Sequence, residues 1–208
     1  MPARLRLALF VSGLLAITAI AAVFLFAVGE RTVTATGFAG AVRPSSIPPA
    51  DFGVRDEHGK PLRLADMRGR PIVVTFLYTT CDDTCPLIAQ QIRIALDDLG
   101  HDVPVIAVSV DPDNDTPRRA RAFALRQGLP GRMRWALGSA AQLQRLWDAY
   151  GVHPQTVDAE HTASTVLLDD RGVQRVGFAA SVLTPAGLAN DIALLERESQ
   201  RRRSGDGA

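Results

Sequence analysis

The residues most able to do chemistry in this sequence are its two cysteines, Cys81 and Cys85. They lie in the stretch TFLYTTCDDTCPLIAQQ, four positions apart. In a regular helix that separation places two Cα atoms roughly 6 Å apart, within the roughly 4.4–6.8 Å that a disulfide tolerates. Two thiolates on one metal ion, each at about 2.3 Å, need only a small adjustment of the loop. The spacing therefore permits a redox disulfide, a metal site, or two inert buried thiols.

The residues between the cysteines favour a bound cation. Asp82 and Asp83 lie directly between the two sulfurs. Neighbouring negative charge disfavours a thiolate, whereas a cation is attracted by carboxylates and thiolates together. Exposure to solvent, with capping of the helix that follows, explains the two aspartates equally well. Charge alone therefore leaves both redox and metal chemistry open.

A metal ion would need further ligands, and the chain offers four histidines. His58 lies in a polar turn and His101 follows a helix-stopping glycine, so we expect both to be exposed and without a role. His153 follows the exit of a predicted helix, and its role stays open. His161 directly precedes a predicted strand, and its loop should end at the same sheet edge as the cysteines. His161 is therefore the preferred third ligand.

The elements that must position these residues alternate between strand and helix. Buried apolar runs predict strands at 72–78, 103–110, 134–137, 165–168 and 173–178, and start and stop signals predict helices at 86–99, 117–127, 139–150 and 185–198. This order predicts a three-layer α/β domain with a mixed central sheet. The cysteines follow the first central strand, at the edge where open α/β sheets place their sites. That position makes inert thiols the least favoured of the three explanations.

The N-terminal part of the chain has the composition of a membrane anchor. Leu7 to Val28 is an uncharged run of 22 residues, which would span roughly 33 Å as a helix against about 30 Å of bilayer hydrocarbon. Arg4 and Arg6 precede it, so the N-terminus should stay in the cytoplasm and the folded domain should lie in the periplasm, an oxidising compartment. A cleaved signal peptide is the alternative.

The composition of the chain and the positions of its turn-forming residues predict how the rest of the chain is divided into segments. The apolar fraction of 47%, the charged fraction of 22% and the net charge of +1 indicate one globular domain and no nucleic-acid footprint. Four segments are predicted: a membrane anchor (1–29), a flexible tether (30–50), the folded domain (51–198) and a disordered tail (199–208).

Three motifs occur in order along the folded part. They are F-L-Y-T-T-C-x-x-x-C-P at 76–86, V-S-V-D-P-x-x-D-T-P at 108–117 and E-H-T-A-S at 160–164. Together they resemble the SCO/SenC family of copper chaperones, and the resemblance covers about Phe52 to Glu198. The sequence departs from the family's usual pattern at Asp82, Thr84 and Glu160. These departures concern the metal affinity and the redox potential of a site, and none of them removes a ligand.

The resemblance implies a thioredoxin-like fold that binds one copper ion through Cys81, Cys85 and His161. It also implies a redox-active disulfide between the two cysteines, and an outer-sphere role for Asp111, with Asp115 either joining it or capping a helix. The implied partner is the copper-site subunit of cytochrome c oxidase, which receives copper or has its thiols kept reduced. Other periplasmic copper chaperones and thiol reductants are further implied partners. Independently, two thiolates and an imidazole are a soft donor set that suits copper.

A membrane-anchored thiol-disulfide oxidoreductase is the competing interpretation. Enzymes of that kind typically carry C-x-x-C and a cis-proline before the strand of the terminal hairpin. This chain has C-x-x-x-C, and no proline among residues 161–164. A peroxidase related to peroxiredoxins is disfavoured because Tyr78 occupies the threonine position of its motif. The sequence therefore favours a metallochaperone over an enzyme, with reduction of a partner's disulfide as a second activity.

Overall fold

The folded part of the chain consists of eight strands and four helices among the residues that the structure describes. In the computed structural model these are residues 2, 37–153 and 164–205. The strands are β1 (Ala41–Val42), β2 (Val54–Arg55), β3 (Pro61–Leu62), β4 (Ile72–Leu77), β5 (Val105–Ser109), β6 (Met133–Ala136), β7 (Ser164–Leu168) and β8 (Gln174–Ala179). The helices are α1 (Thr84–Leu99), α2 (Pro117–Arg126), α3 (Ala140–Tyr150) and α4 (Pro185–Gly205), with a short 3-10 helix at Leu64–Met67.

Six strands form one mixed sheet in the order β1-β8-β7-β4-β5-β6. Strands β4, β5 and β6 are parallel, whereas β7 is antiparallel to both β4 and β8. In this register Leu77 pairs with Ser109, and Thr75 pairs with Thr165 near the start of β7. The end of β4, the end of β5 and the start of β7 therefore meet at one edge of the sheet, called here the cysteine edge.

The sheet is covered on both faces, which confirms the predicted α/β fold with a mixed central sheet. Every residue of β4 is buried, as a continuous apolar run predicts for a central strand. Alternate side chains contribute to two cores: Val73 and Leu77 pack with residues of α1 and α4, and Val74 and Phe76 pack with residues of α3.

The segment before Asp51 is partly docked on the domain. Strand β1 pairs with β8, and the backbone amides of Ala39 and Gly40 donate to the buried carboxylate of Asp191 at 2.8 and 2.9 Å. The prediction of a tether over residues 30–50 therefore does not hold at Phe38 to Val42. Its small and polar composition suggested a linker, but β8 offers a free edge, and a glycine at position 40 allows close approach to it.

The C-terminal segment also differs from its prediction. Residues 199–208 were expected to be disordered, yet α4 continues to Gly205. The hydroxyl of Ser199 donates to Asp170 at 2.7 Å, the Arg202 guanidinium also bonds Asp170, and Arg203 donates to the carbonyl of Gly69. An arginine-rich tail is thus held by partners that are distant in sequence.

The predicted membrane anchor lies outside the described residues. Within 37–153 and 164–205, no helix combines the length and the apolar character needed to cross a bilayer. The run from Leu7 to Val28 therefore stays a prediction.

Candidate metal centre

Both cysteines lie where β4 gives way to α1, as predicted. Strand β4 ends at Leu77, the amide of Cys81 donates to the Tyr78 carbonyl at 3.4 Å, and α1 begins at Thr84. Both thiols are free and buried. Cys81 retains 9% of its accessible surface, whereas Cys85 retains none. The first cysteine is therefore the one nearer to solvent.

The two cysteines contact each other through a hydrogen bond at the start of α1. The backbone N–H of Cys85 donates to Sγ of Cys81 over 3.3 Å. The residue in the N-cap position, Asp83, makes no side-chain cap hydrogen bond. A backbone amide in the first turn of a helix has no partner within the helix and is usually accepted by a serine, threonine or aspartate oxygen. Here the sulfur of Cys81 accepts the Cys85 amide instead. The capping explanation for Asp83 is therefore wrong, while its exposure, and that of Asp82, is as expected for a solvated loop.

Burial holds Cys85 in its protonated form. Loss of solvent raises the pKa of the Cys85 thiol far above its ordinary value, and the neighbouring Cys81 and Asp115 raise it further. A thiolate is nevertheless the form that binds a metal ion. A cation that enters this position must therefore displace the proton of Cys85, so binding and proton release are coupled.

Asp115, which directly precedes the N-cap of α2, bonds both to the end of β5 and to the loop that carries the cysteines. Its Oδ1 accepts the backbone N–H of Thr79 at 2.7 Å, and its Oδ2 accepts the hydroxyl of Ser109 at 2.5 Å. Burial raises the pKa of this carboxyl group. The N-cap of α2 is Thr116, whose side chain accepts the amide of Arg119. The helix-capping alternative for Asp115 is therefore wrong.

Asp111, the residue predicted to act in the outer sphere, follows β5 on the cysteine edge. Both of its carboxylate oxygens accept from Nδ2 of Asn114, at 3.1 and 2.9 Å. Its backbone N–H donates to the Ser109 hydroxyl at 3.3 Å. These contacts hold Asp111 within its own loop, and its role towards a metal ion stays a prediction.

The structure describes three of the four histidines. His161 lies outside the described residues, but β7, which follows it, begins at the cysteine edge at Ser164. His153 follows α3, whose last turn contacts both edges of the sheet: the Trp147 indole donates to the Ser109 carbonyl at 3.0 Å, and Gln174 at the start of β8 donates to the Ala149 carbonyl at 3.0 Å. Its role therefore stays open, as the sequence left it.

The other two histidines are exposed, as expected, but each has a partner. Nε2 of His58 lies 3.3 Å from Oε1 of Glu57, and Nε2 of His101 lies 2.8 Å from Oε1 of Glu196. His101 thus joins the end of α1 to α4. The expectation that it has no role is wrong in this structural sense.

Within residues 37–153 and 164–205, no cluster of three or more histidine, cysteine, aspartate or glutamate side chains could hold a metal ion. The described part of the chain contributes the cysteine pair. The local sequence signal for the pair was strong. Asp115 was named only as a companion of Asp111 or as a helix cap, and its hydrogen bond to the cysteine loop was not predicted.

Comparison with known proteins gives consistent matches over the folded part. The family model described as SCO1/SenC matches residues 42–195. The mitochondrial SCO2 homolog of Bos taurus is 25% identical over 166 residues, which cover 77% of this chain and 59% of that protein. The chain spans between 39% and 59% of the length of the curated relatives it matches.

Solved structures show the same fold. The copper-bound structure of ScoI from Bradyrhizobium japonicum is 27% identical with a TM-score of 0.56, covering 70% of this chain and 97% of that one. The apo Sco1 structure from Thermus thermophilus has a TM-score of 0.66 at 24% identity, covering 77% of this chain and 99% of that one. The mixed sheet and its helices are therefore those of the thioredoxin-like Sco fold.

Proposed function

Since the chain belongs to the SCO1/SenC family, we propose that it binds one copper ion through Cys81, Cys85 and His161. We propose further that it serves the assembly of cytochrome c oxidase, by delivering copper to the oxidase copper site or by keeping the thiols of that site reduced. The observation that carries the proposal is the pair of free, buried thiols at the sheet edge, joined by the 3.3 Å N–H···S contact.

The third ligand is supported by the topology of the sheet. His161 precedes Ser164, the first residue of β7, by three positions. Three residues span at most about 10–11 Å, a length of chain that allows a ligand at position 161 to reach the cysteine edge. Two of the other histidines are paired with carboxylates: His58 with Glu57 and His101 with Glu196.

The donor set determines which chemistry the site supports. Thiolates and imidazole select soft or borderline metals, and copper outranks zinc for such ligands. A bound copper ion would be a soft cation that can be passed to a partner. The chain supplies two sulfur donors in a pocket from which water is largely excluded. Release to a partner would proceed by exchange of these donors for the partner's own, with a proton returning to Cys85.

The comparison with relatives supports the same cargo. The ScoI structure from Bradyrhizobium japonicum contains copper, and that chain is 27% identical to this one. Oxidase assembly is the role that the family resemblance implies. The match covers 59% of the length of the bovine relative, so the similarity does not extend over that whole protein. The oxidase partner therefore belongs to the proposal.

The unequal burial of the two cysteines favours thiol-disulfide exchange as a second activity. In such a reaction the Cys81 thiolate attacks one sulfur of a partner's disulfide and the partner's other sulfur leaves as a thiolate. The Cys85 thiol then loses its proton to solvent, and the resulting thiolate attacks Sγ of Cys81. The partner's sulfur leaves as a thiolate, and the partner's two thiolates take up protons to give a dithiol. The protein can react again only after an external dithiol reductant has reduced the Cys81–Cys85 disulfide, which takes two electrons and two protons.

The membrane anchor and the periplasmic location are part of the same proposal. They are supported by the uncharged run from Leu7 to Val28 behind Arg4 and Arg6. Protease treatment of spheroplasts should digest the folded domain while intact cells protect it. Release of the domain in soluble form by osmotic shock would contradict the anchor.

Copper stoichiometry of the reduced full chain tests the function. We expect one copper ion per chain, retained through desalting, and none in Cys81→Ala. Parallel insulin-reduction and peroxide assays separate the alternatives. Catalytic reduction of insulin without copper retention would favour the oxidoreductase, and retention of no copper by reduced wild type would contradict the chaperone.

A further inference from the structure

The hydrogen-bond ladder between β4 and β5 ends just before the cysteine loop. The amide of Val73 donates to the Pro104 carbonyl at 2.9 Å, and the amide of Val110 donates to the Leu77 carbonyl at 3.1 Å. Alternate amides of a parallel strand face the same neighbour, so Thr79 carries the next donor that faces β5. Strand β5 has already ended at Ser109.

A carboxylate takes the place of the missing strand. Oδ1 of Asp115 accepts the Thr79 amide at 2.7 Å, and Thr79 precedes the first cysteine by two residues. An unpaired buried amide is costly, so this bond fixes where the chain leaves the sheet. The direction in which the cysteine loop departs from β4 therefore depends on one side chain that lies 36 residues further along the chain.

Asp115 is itself held from several sides. Its Oδ2 accepts the Ser109 hydroxyl at 2.5 Å, and its backbone amide donates to the Asp111 carbonyl at 2.9 Å. The carbonyl of Ser109 accepts the indole N–H of Trp147 at 3.0 Å. The carboxylate is thus a fixed bracket between the end of β5, the Asp111 loop and the chain that leads to Cys81.

We infer that Asp115 is a positioning residue for the copper site, acting through the Thr79 amide on the cysteine loop and through the backbone on Asp111. The inference rests on the proposed function for its copper readout. It assigns no contact between Asp115 and the metal ion. Outer-sphere residues that orient ligands typically change metal affinity roughly 10–100-fold when they are removed.

A buried carboxylate can also matter for stability alone, so the test needs a matched control. Asp169 is buried and accepts two backbone amides, those of Arg171 and Val173, each at 3.0 Å. It follows β7, at the edge of the sheet opposite the cysteines. Asp169→Ala therefore removes a comparable buried acceptor without touching the cysteine loop.

The experiment compares Asp115→Ala, Asp115→Asn and Asp169→Ala with wild type in the reduced full chain. Cu(I) affinity is measured by competition with a chromophoric chelator, and the rate at which iodoacetamide alkylates Cys81 is measured in the metal-free chain. We expect Asp115→Ala to weaken Cu(I) binding roughly 10–100-fold and to change the alkylation rate. Asparagine can still accept the Thr79 amide and donate to Ser109, so Asp115→Asn should stay within about threefold of wild type, as should Asp169→Ala.

Three results would overturn the inference. They are wild-type affinity and alkylation rate in Asp115→Ala, equal weakening by alanine and asparagine, which would assign the effect to charge, and equal weakening by Asp169→Ala, which would assign it to general destabilisation. If Asp115→Ala does not fold, Ser109→Ala removes one anchor of the carboxylate and should shift both readouts in the same direction. Failure of wild type to bind copper would contradict the proposed function instead, while the alkylation comparison would still decide the positioning role.

Discussion

The backbone N–H of Cys85 points at Sγ of Cys81, 3.3 Å away, so the first cysteine closes the start of the helix that contains the second. The relationship is unequal. Cys81 accepts a hydrogen bond at a helix start and keeps some exposure, whereas Cys85 is wholly enclosed among apolar side chains. The two thiols should therefore differ in what they contribute to stability, although both are proposed to bind the same ion.

Serine substitution should reveal that difference. In Cys81→Ser the hydroxyl can accept the Cys85 amide in place of the sulfur, and we expect a stability near that of wild type. In Cys85→Ser a hydroxyl is buried without an assured partner, which should cost about 1–3 kcal/mol. Urea unfolding of the metal-free chains measures both, and both should lose copper at equilibrium with a chelator. Equal destabilisation by the two substitutions would contradict the structural asymmetry.

Oxidation should switch off copper binding while leaving the fold intact. Four-residue spacing permits a Cys81–Cys85 disulfide, and ligation requires free thiolates. Copper titration of the oxidised chain should give no retained ion, with a circular dichroism spectrum close to that of the reduced chain. Adding dithiothreitol should restore one copper per chain. Tight binding with the disulfide intact would refute the assignment of the two sulfurs as ligands.

Local patterns in the sequence were sufficient to predict most of the fold. The apolar run from Ile72 predicted β4, which ends one residue earlier than expected, and the helix after the cysteines begins two residues earlier at Thr84. The cysteines were placed at the correct edge because a strand followed by a helix fixes the direction of the chain. These features depend on residues that are close together in sequence.

The features that were missed depend on distant partners. Nothing near Asp115 in the sequence indicates that its carboxylate accepts the Thr79 amide. That amide lacks a partner in the sheet only because β5 ends before it can pair with Thr79. Likewise, the arginines after Ser199 suggested disorder until Asp170 and the Gly69 carbonyl were seen to receive them. The docked segment near Gly40 was missed for the same reason, since its acceptor, Asp191, lies 151 residues away.

The docked N-terminal segment should contribute to stability. Asp191→Ala would leave the amides of Ala39 and Gly40 without their acceptor, and we expect a loss of about 1–3 kcal/mol in urea unfolding. Hydrogen exchange at those two amides should accelerate. Asp191→Asn keeps one acceptor oxygen, so its stability should lie between those of wild type and Asp191→Ala. Unchanged exchange in Asp191→Ala would show that the carboxylate does not hold the segment.

A second change at the same place tests close packing. A Cβ added at Gly40 would lie 2.5 Å from Cγ1 of Val176 and 2.8 Å from the ring of Phe178. Gly40→Val should therefore displace β1 from β8 and produce the same faster exchange as Asp191→Ala.

The His101–Glu196 pair should stabilise the protein only on the acidic side of neutrality. The hydrogen bond that His101 donates to the Glu196 carboxylate raises the pKa of His101 above its ordinary value. The charged histidine is therefore favoured in the folded chain, so the contribution is fully present below about pH 6.5, the unfolded pKa, and is lost as the pH rises through the folded value. Both side chains are partly exposed, so the contribution should be roughly 0.2–1 kcal/mol.

Urea unfolding of His101→Gln at pH 5.5 and pH 9 measures this effect. We expect a deficit relative to wild type at the lower pH that shrinks at the higher pH. His153→Gln, which replaces an exposed histidine outside this pair, serves as the control for the substitution itself. A deficit for His101→Gln that is larger at pH 9 would have the wrong sign for this pair.

Replacement of His161 tests the proposed third ligand. His161→Ala should weaken copper binding by more than the roughly 10–100-fold of an outer-sphere change, and should remove the visible absorption of a Cu(II)–thiolate site completed by imidazole. The thermal unfolding midpoint of the metal-free chain should not change, because a ligand in place only for copper does not support the apo core. His153→Ala is the control for the loss of an exposed histidine. An unchanged copper spectrum in His161→Ala, or a lower midpoint in the metal-free chain, would instead indicate a structural histidine and would leave the cysteine pair in need of a different partner.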